Sequence, residues 1–145
     1  MTSVKRIIAL LFVTFVISCS TNRSATETKP LFEILTVRED GGATIRFFEI
    51  LSEEREIKML QNDETLGKKI MASDINTANF VILNMGEKTS LGHSITVEKV
   101  EESPNQIIIF TKDNEPKSKV QEEKEVFYYP YTIVKINSKK EILIQ

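Results

Sequence analysis

The chain has 145 residues, 28% of them charged, with 19 lysines and arginines against 21 aspartates and glutamates for a formal net charge of −2. That balance leaves no basic excess for nucleic acid or an anionic membrane face, and the length suits one domain. A single cysteine, Cys19, excludes disulfide stapling, and a single histidine, His93, excludes a histidine-cluster metal site.

The first twenty residues read as a targeting segment. Lys5 and Arg6 form a basic start, and the eleven residues Ile7 to Ile17 are almost unbroken hydrocarbon. At about 1.5 Å per residue such a helix crosses roughly half of a ~30 Å hydrocarbon layer, which suits a cleaved export signal better than a permanent span. Val16-Ile17-Ser18-Cys19 resembles a bacterial lipoprotein signal-peptide site, in which the cysteine becomes the first mature residue and carries the lipid. The resemblance implies a signal peptide over 1–18, acylation such as palmitate at Cys19, and attachment to the lipid membrane of a bacterial cell envelope. In an organism with two membranes the expected address is the outer one. The alternative is an ordinary thiol near a conventional cleavage point or in an uncleaved anchor. Taking Lys5 and Arg6 from the 19 basic residues leaves 17 against 21 acidic ones, a mild formal charge of −4.

Ser20 to Pro30 has no apolar periodicity and reads as a polar tether, completing a 19–30 linker that would hold the domain off the bilayer. The folded domain is expected over 31–145. Leu31 to Val37 and Ala43 to Leu51 are candidate strands around Asp40-Gly41-Gly42, a combination that predicts a hairpin because glycine supplies the positive φ angles of the turn. Phe47 and Phe48, being adjacent, should point to opposite faces of their strand.

Ser52 then stands where a helix N-cap belongs, with Glu53 and Glu54 in the first turn and Ile57 and Leu60 on a common face. Leu66, Ile70 and Met71 continue an apolar stripe, so two short helices or one broken helix are expected. Met59 and Met71 read as core fillers rather than metal ligands, because no second soft ligand stands beside them.

Phe80 to Leu83 is a β-branched and aromatic run that predicts a central strand. Between Gly86 and Gly92 the pattern fails, and a loop is expected there. Period-two alternation returns from Ser94, with Ile95 and Val97 on one face. After a turn at Glu101 to Asn105, Gln106 to Thr111 is continuously apolar and predicts a strand covered on both faces. Thr111 to Lys124 reads as a long exposed loop, its lysines diluted by neighbouring carboxylates. Glu125 to Ile136 returns to strand character, with Pro130 restricted to a strand start, bulge or edge. Ile142 to Ile144 could add a short final strand.

Several of these stretches together carry a family likeness. Gly86-Glu87-Lys88-Thr89, Gly92-His93-Ser94-Ile95, Tyr129-Pro130-Tyr131 and Ile133-Val134-Lys135-Ile136, in that order, resemble the carboxy-terminal domain of the PrcB-like protease-complex-subunit family, over roughly residues 74–138. The resemblance implies a non-catalytic accessory or stabilising subunit, exported or lipid-anchored. Family members usually carry a second glycine where Leu91 stands and tyrosine where His93 stands, so the path of the loop is open. The Thr-Gly-Gly-Tyr form of that loop is also similar to a binding loop of chagasin-like cysteine-protease inhibitors.

For catalysis, His93 beside Ser90 and Ser94 lacks an orienting carboxylate in any recognisable motif, and neither a phosphate-cradling loop nor a calcium loop occurs. No cofactor is expected. The residues therefore predict an α+β fold, mainly an antiparallel β sandwich or partial barrel with a short helical insertion. Its partner is expected to be an exported protein, such as a protease, and not nucleic acid. Gly86, Lys88, Thr89, Gly92, His93, Tyr129 and Tyr131 are the candidates for the docking face, through aromatic burial and hydrogen bonds. Direct protease inhibition, and a structural or small-ligand-binding role in the envelope, are the alternatives.

Overall fold

The computed structural model describes residues 29–117 and 126–145. The signal segment, Cys19 and the tether as far as Thr28 lie outside them, as do residues 118–125 of the charged stretch, including Glu125.

Among the described residues, seven strands form two sheets. β1 (Phe32–Arg38), β2 (Phe47–Leu51), β3 (Asn79–Asn84) and β6 (Tyr131–Ile136) make an antiparallel sheet in the order β1-β6-β3-β2. β4 (Ser94–Glu102), β5 (Gln106–Asn114) and β7 (Glu141–Ile144) make the second, where β4 and β5 are antiparallel and β7 lies parallel to β5. The sheets stack as an open sandwich and do not close into a barrel. Two short helices, α1 (Glu54–Gln61) and α2 (Asp74–Thr77), complete the α+β fold.

Alternation along the strands divides the interior in two. Val81, Leu83, Val134 and Ile136 point from the first sheet toward Ile95, Val97, Ile107 and Ile109 of the second. On the opposite face Leu35, Leu51, Phe80 and Ile133 are covered by Ile57, Leu66 and Ile70 of the helical segment. The first sheet is thus the middle layer, apolar on both sides, and this is why Phe80 to Leu83 lacks polar alternation. Phe48 reaches the inter-sheet core while Phe47 stays 38% exposed, as their adjacency requires.

Several expectations are corrected. Asp40-Gly41-Gly42 does not close a hairpin: β1 and β2 lie at opposite edges of the sheet, and the chain crosses the sheet end between them. The crossing is held by Asn84, whose Oδ1 accepts from Ala43 N (2.9 Å) and whose Nδ2 donates to Ala43 O (2.9 Å) and Ile45 O (2.7 Å). Residues 43–46 are consequently tied to a side chain instead of a strand, and β2 begins only at Phe47. The helix N-cap is Glu53, not Ser52, in a reciprocal capping box with Glu56. Leu66 and Ile70 are buried, but their segment is a series of turns, and α2 forms further on. Met59 and Met71 are not core fillers, at 68% and 50% exposed. β5 alternates, burying Ile107 and Ile109 and leaving Ile108 and Phe110 half-buried on its outer face, and it runs on to Asn114. The last long strand starts at Tyr131, after Pro130.

Candidate partner-binding face

β3 delivers the chain to the loop that follows it. Beyond Asn84 the ladder continues as separate contacts: Met85 N donates to Pro130 O (2.9 Å), and Lys88 and Tyr128 exchange both backbone bonds at 2.8 Å each. The start of loop 86–93 and residues 128–130 are therefore one bonded unit. Gly86 makes the approach feasible. Its φ of +78° is a region that side-chain-bearing residues rarely adopt, and a Cβ there would lie 2.9 Å from Arg46 N. Glu87 N then donates to Thr44 O (3.0 Å), tying the loop to the crossing segment.

The far end of the loop turns at Gly92, where φ is +88° and a Cβ would meet Pro116 at 2.9 Å. Leu91 needs no such backbone, since no residue other than glycine has positive φ among the described residues. The leucine is accommodated with its side chain 47% exposed.

Tyr129 is fixed at both ends. Its N donates to Asp40 Oδ1 (3.0 Å), its O accepts from Gly42 N (2.8 Å), and its hydroxyl donates to Glu87 Oε2 (3.3 Å). Loss of hydration and then the Glu87 carboxylate push the hydroxyl pKa up, so Tyr129 remains a protonated donor. Ser90 Oγ lies 3.2 Å from His93 Nε2, and His93 Nδ1 is buried without a hydrogen-bond partner among the described residues. The pair thus has no carboxylate to orient the imidazole. No group of three His, Cys, Asp or Glu side chains with metal-site spacing occurs among the described residues.

The candidates divide by role. Lys88, Thr89, Gly92, His93 and Tyr129 retain surface exposure. Gly86 is buried backbone, and Tyr131 packs against the core under the helices. Sequence reasoning assigned no role to Asp40 and Thr44, which hold the unit from outside, to Glu87, which links its two halves, or to Asn84, a buried polar residue closing an apolar strand. Asp40 and Glu87 stood in the turn and loop motifs with no role attached, and the signal for Asn84 was an amide ending the apolar run.

Residues 79–137 match the family model described as PrcB C-terminal. This stretch belongs to the PrcB C-terminal family. It runs from the first residue of β3 to just past β6, and contains both halves of the bonded unit. The likeness read over 74–138 is borne out there. β1, β2, both helices and β7 fall outside the PrcB C-terminal match. No curated protein and no solved structure matches the chain.

Proposed function

We propose that the chain is a non-catalytic accessory protein of the cell envelope, lipid-anchored through Cys19, that docks on an exported protease or protease complex through residues 86–93 and 128–131. The observation that carries this reading is the reciprocal Lys88–Tyr128 bond pair inside the family-matched stretch. It joins two segments distant in sequence, so that the loop carrying Lys88, Thr89 and His93 leaves the sheet beside Tyr129 in a preformed arrangement. A surface ordered before contact loses little conformational entropy on docking. The lipid would localise the protein, and the polar residues after Cys19 would give it reach.

The test is mild crosslinking of the tagged full chain in its native membrane, followed by mass spectrometry of co-isolated proteins. The controls are Cys19→Ala and a Lys88→Ala/His93→Ala double variant. The expected result is a recurrent exported protease, lost with the loop variant, and labelled palmitate incorporated by the parent chain but not by Cys19→Ala. Recovery of a non-protease envelope protein, or of the same proteins with the loop variant, would count against the reading.

A further inference from the structure

Four strands end their sheets: β1 and β2 in the first, β4 and β7 in the second. Edges present unpaired backbone N–H and C=O groups, which proteins blunt with bulges, short strands or charge. β1 is bulged between Ile34 and Thr36, β4 between Val97 and Lys99, and β7 has only four residues. β2 keeps an unbroken register against β3, from Phe47 opposite Asn84 to Leu51 opposite Phe80, and no strand among the described residues pairs with its other side. Phe47 and Ile50 are each 38% exposed along it.

A groove of about 460 Å³ flanks this edge. Glu49 and Leu51 of β2 and Ile82 of β3 form its floor on the helix side of the sheet, and Arg55, Met59 and Leu60 of α1 form its wall. Met59, at 68% exposed, is an apolar side chain with one flank unfilled. We propose that the free edge of β2 takes an extended segment of a partner protein as an added strand, with a basic side chain opposite Glu49 and an apolar one in the groove beside Leu51 and Met59.

Charge selects this occupant over a second copy of the chain. Glu49 is the central residue of β2, is exposed, and has no hydrogen-bond or ion-pair partner among the described residues. Two β2 edges paired antiparallel about their centres would set the two Glu49 carboxylates opposite each other, an arrangement that destabilises a sheet. A lysine or arginine there is attracted instead. The lining agrees in sign, because its charged residues are Glu49 and Glu56 against Arg55. Residues facing Phe47, Glu49 and Leu51 lie on one side of an added strand, so the favoured pattern is apolar, any, basic, any, apolar. Main-chain bonds would supply affinity and these alternate side chains specificity. The proposal is independent of the loop surface, and its failure would leave that reading untouched.

The experiment uses the full chain in mild detergent and a set of capped, fluorescein-labelled heptapeptides. Their sequence is Thr-Val-Thr-X-Thr-Val-Thr with lysine, threonine or glutamate at X, so that both valines share a face with the central residue. Anisotropy should show saturable binding, with the lysine-centred peptide about three- to ten-fold tighter than the glutamate-centred one, as a directly opposed charge pair predicts. Glu49→Lys should reverse that order, Met59→Asp should weaken all three peptides, and bound peptide should slow amide exchange across Phe47–Leu51. The proposal is overturned by absence of saturable binding, by an order unchanged in Glu49→Lys, or by protection confined to other segments. Concentration-dependent protection of Phe47–Leu51 without peptide would also overturn it, because a second copy would then occupy the edge.

Discussion

At the scale of single residues, the polar groups inside the fold bear more of the architecture than their number suggests. Asn84 is 1% exposed and satisfies three backbone groups of the crossing segment. Asn84→Ala should therefore cost about 1–3 kcal/mol, the penalty for removing a buried amide and its bonds to three part-buried backbone groups, read as a lower denaturant midpoint at unchanged slope. Asn84→Asp should destabilise at least as much at neutral pH, since a carboxylate would face the carbonyls of Ala43 and Ile45. Asp74 and Lys135 form the second buried feature, an ion pair at 2.6 Å with side chains 0% and 4% exposed, and Asp74 Oδ2 also accepts from Met71 N. Asp74 Oδ1 has no partner among the described residues. Lys135→Met would leave that carboxylate uncompensated and should cost about 3–5 kcal/mol, while adding Asp74→Leu should recover most of the loss because no buried charge remains. A double variant no more stable than Lys135→Met would show that the pair acts through the Met71 bond instead. Neither feature was legible in the sequence. Lys135 sits in a strand-like run and Asp74 in a polar turn, and nothing in spacing says that residues 61 apart will meet.

Elements were legible where local chemistry determines them and illegible where only pairing does. The strand, loop and strand around Gly86 and Gly92 were read correctly, because the apolar run stops and positive φ is needed at both glycines. Gly41-Gly42 announced a turn equally well, yet turn residues do not specify which strand lies next, and β6 took the place beside β1 that a hairpin would have given to β2. The continuous run of β5 misled for a related reason: Lys99 lies 4.3 Å from the Phe110 ring and shields the outer face in place of a covering layer. Met59 and Met71 fit a helical stripe on paper, but α1 is short with Ile57 on its buried face, Met71 lies outside both helices, and Leu66 and Ile70 from the turns between them complete the cover. The loop itself gives a sharp test. Gly86→Ala combines a left-handed backbone with a 2.9 Å approach to Arg46 N and should cost about 2 kcal/mol or more. Leu91→Gly restores the glycine usual in the family but relieves nothing, since Leu91 is not at positive φ. It should destabilise by roughly 0.5–1 kcal/mol through greater freedom of the unfolded chain, and a stabilising result would mean that the loop is strained at that position.

At the scale of the whole molecule, the family-matched stretch and the folding unit have different boundaries. Residues 79–137 contain β3 and β6, the two central strands of the first sheet, but not their outer neighbours β1 and β2. They contain Phe80 and Ile133 but not Leu51, Ile57, Leu66 or Ile70, which bury those side chains, and Lys135 without Asp74. A fragment of 79–137 would be two strand pairs with an uncovered apolar face, a stranded lysine and every edge open, whereas a lone two-stranded pair is at best marginally stable in water. It should therefore be unfolded or aggregated, with collapsed amide dispersion and no cooperative melt, while residues 29–145 should give dispersed amides and a single transition. A cooperatively folding 79–137 fragment would contradict the layered arrangement. The same reasoning bears on the docking surface, because Asp40, Gly42 and Thr44, which fix Tyr129 and Glu87, lie upstream of the matched stretch. The recognisable segment supplies the exposed side chains, and the preceding segment sets their positions. Even a fragment rescued by a solubilising fusion should thus lose capture of the partner, and restoring residues 29–78 in the same chain should return it.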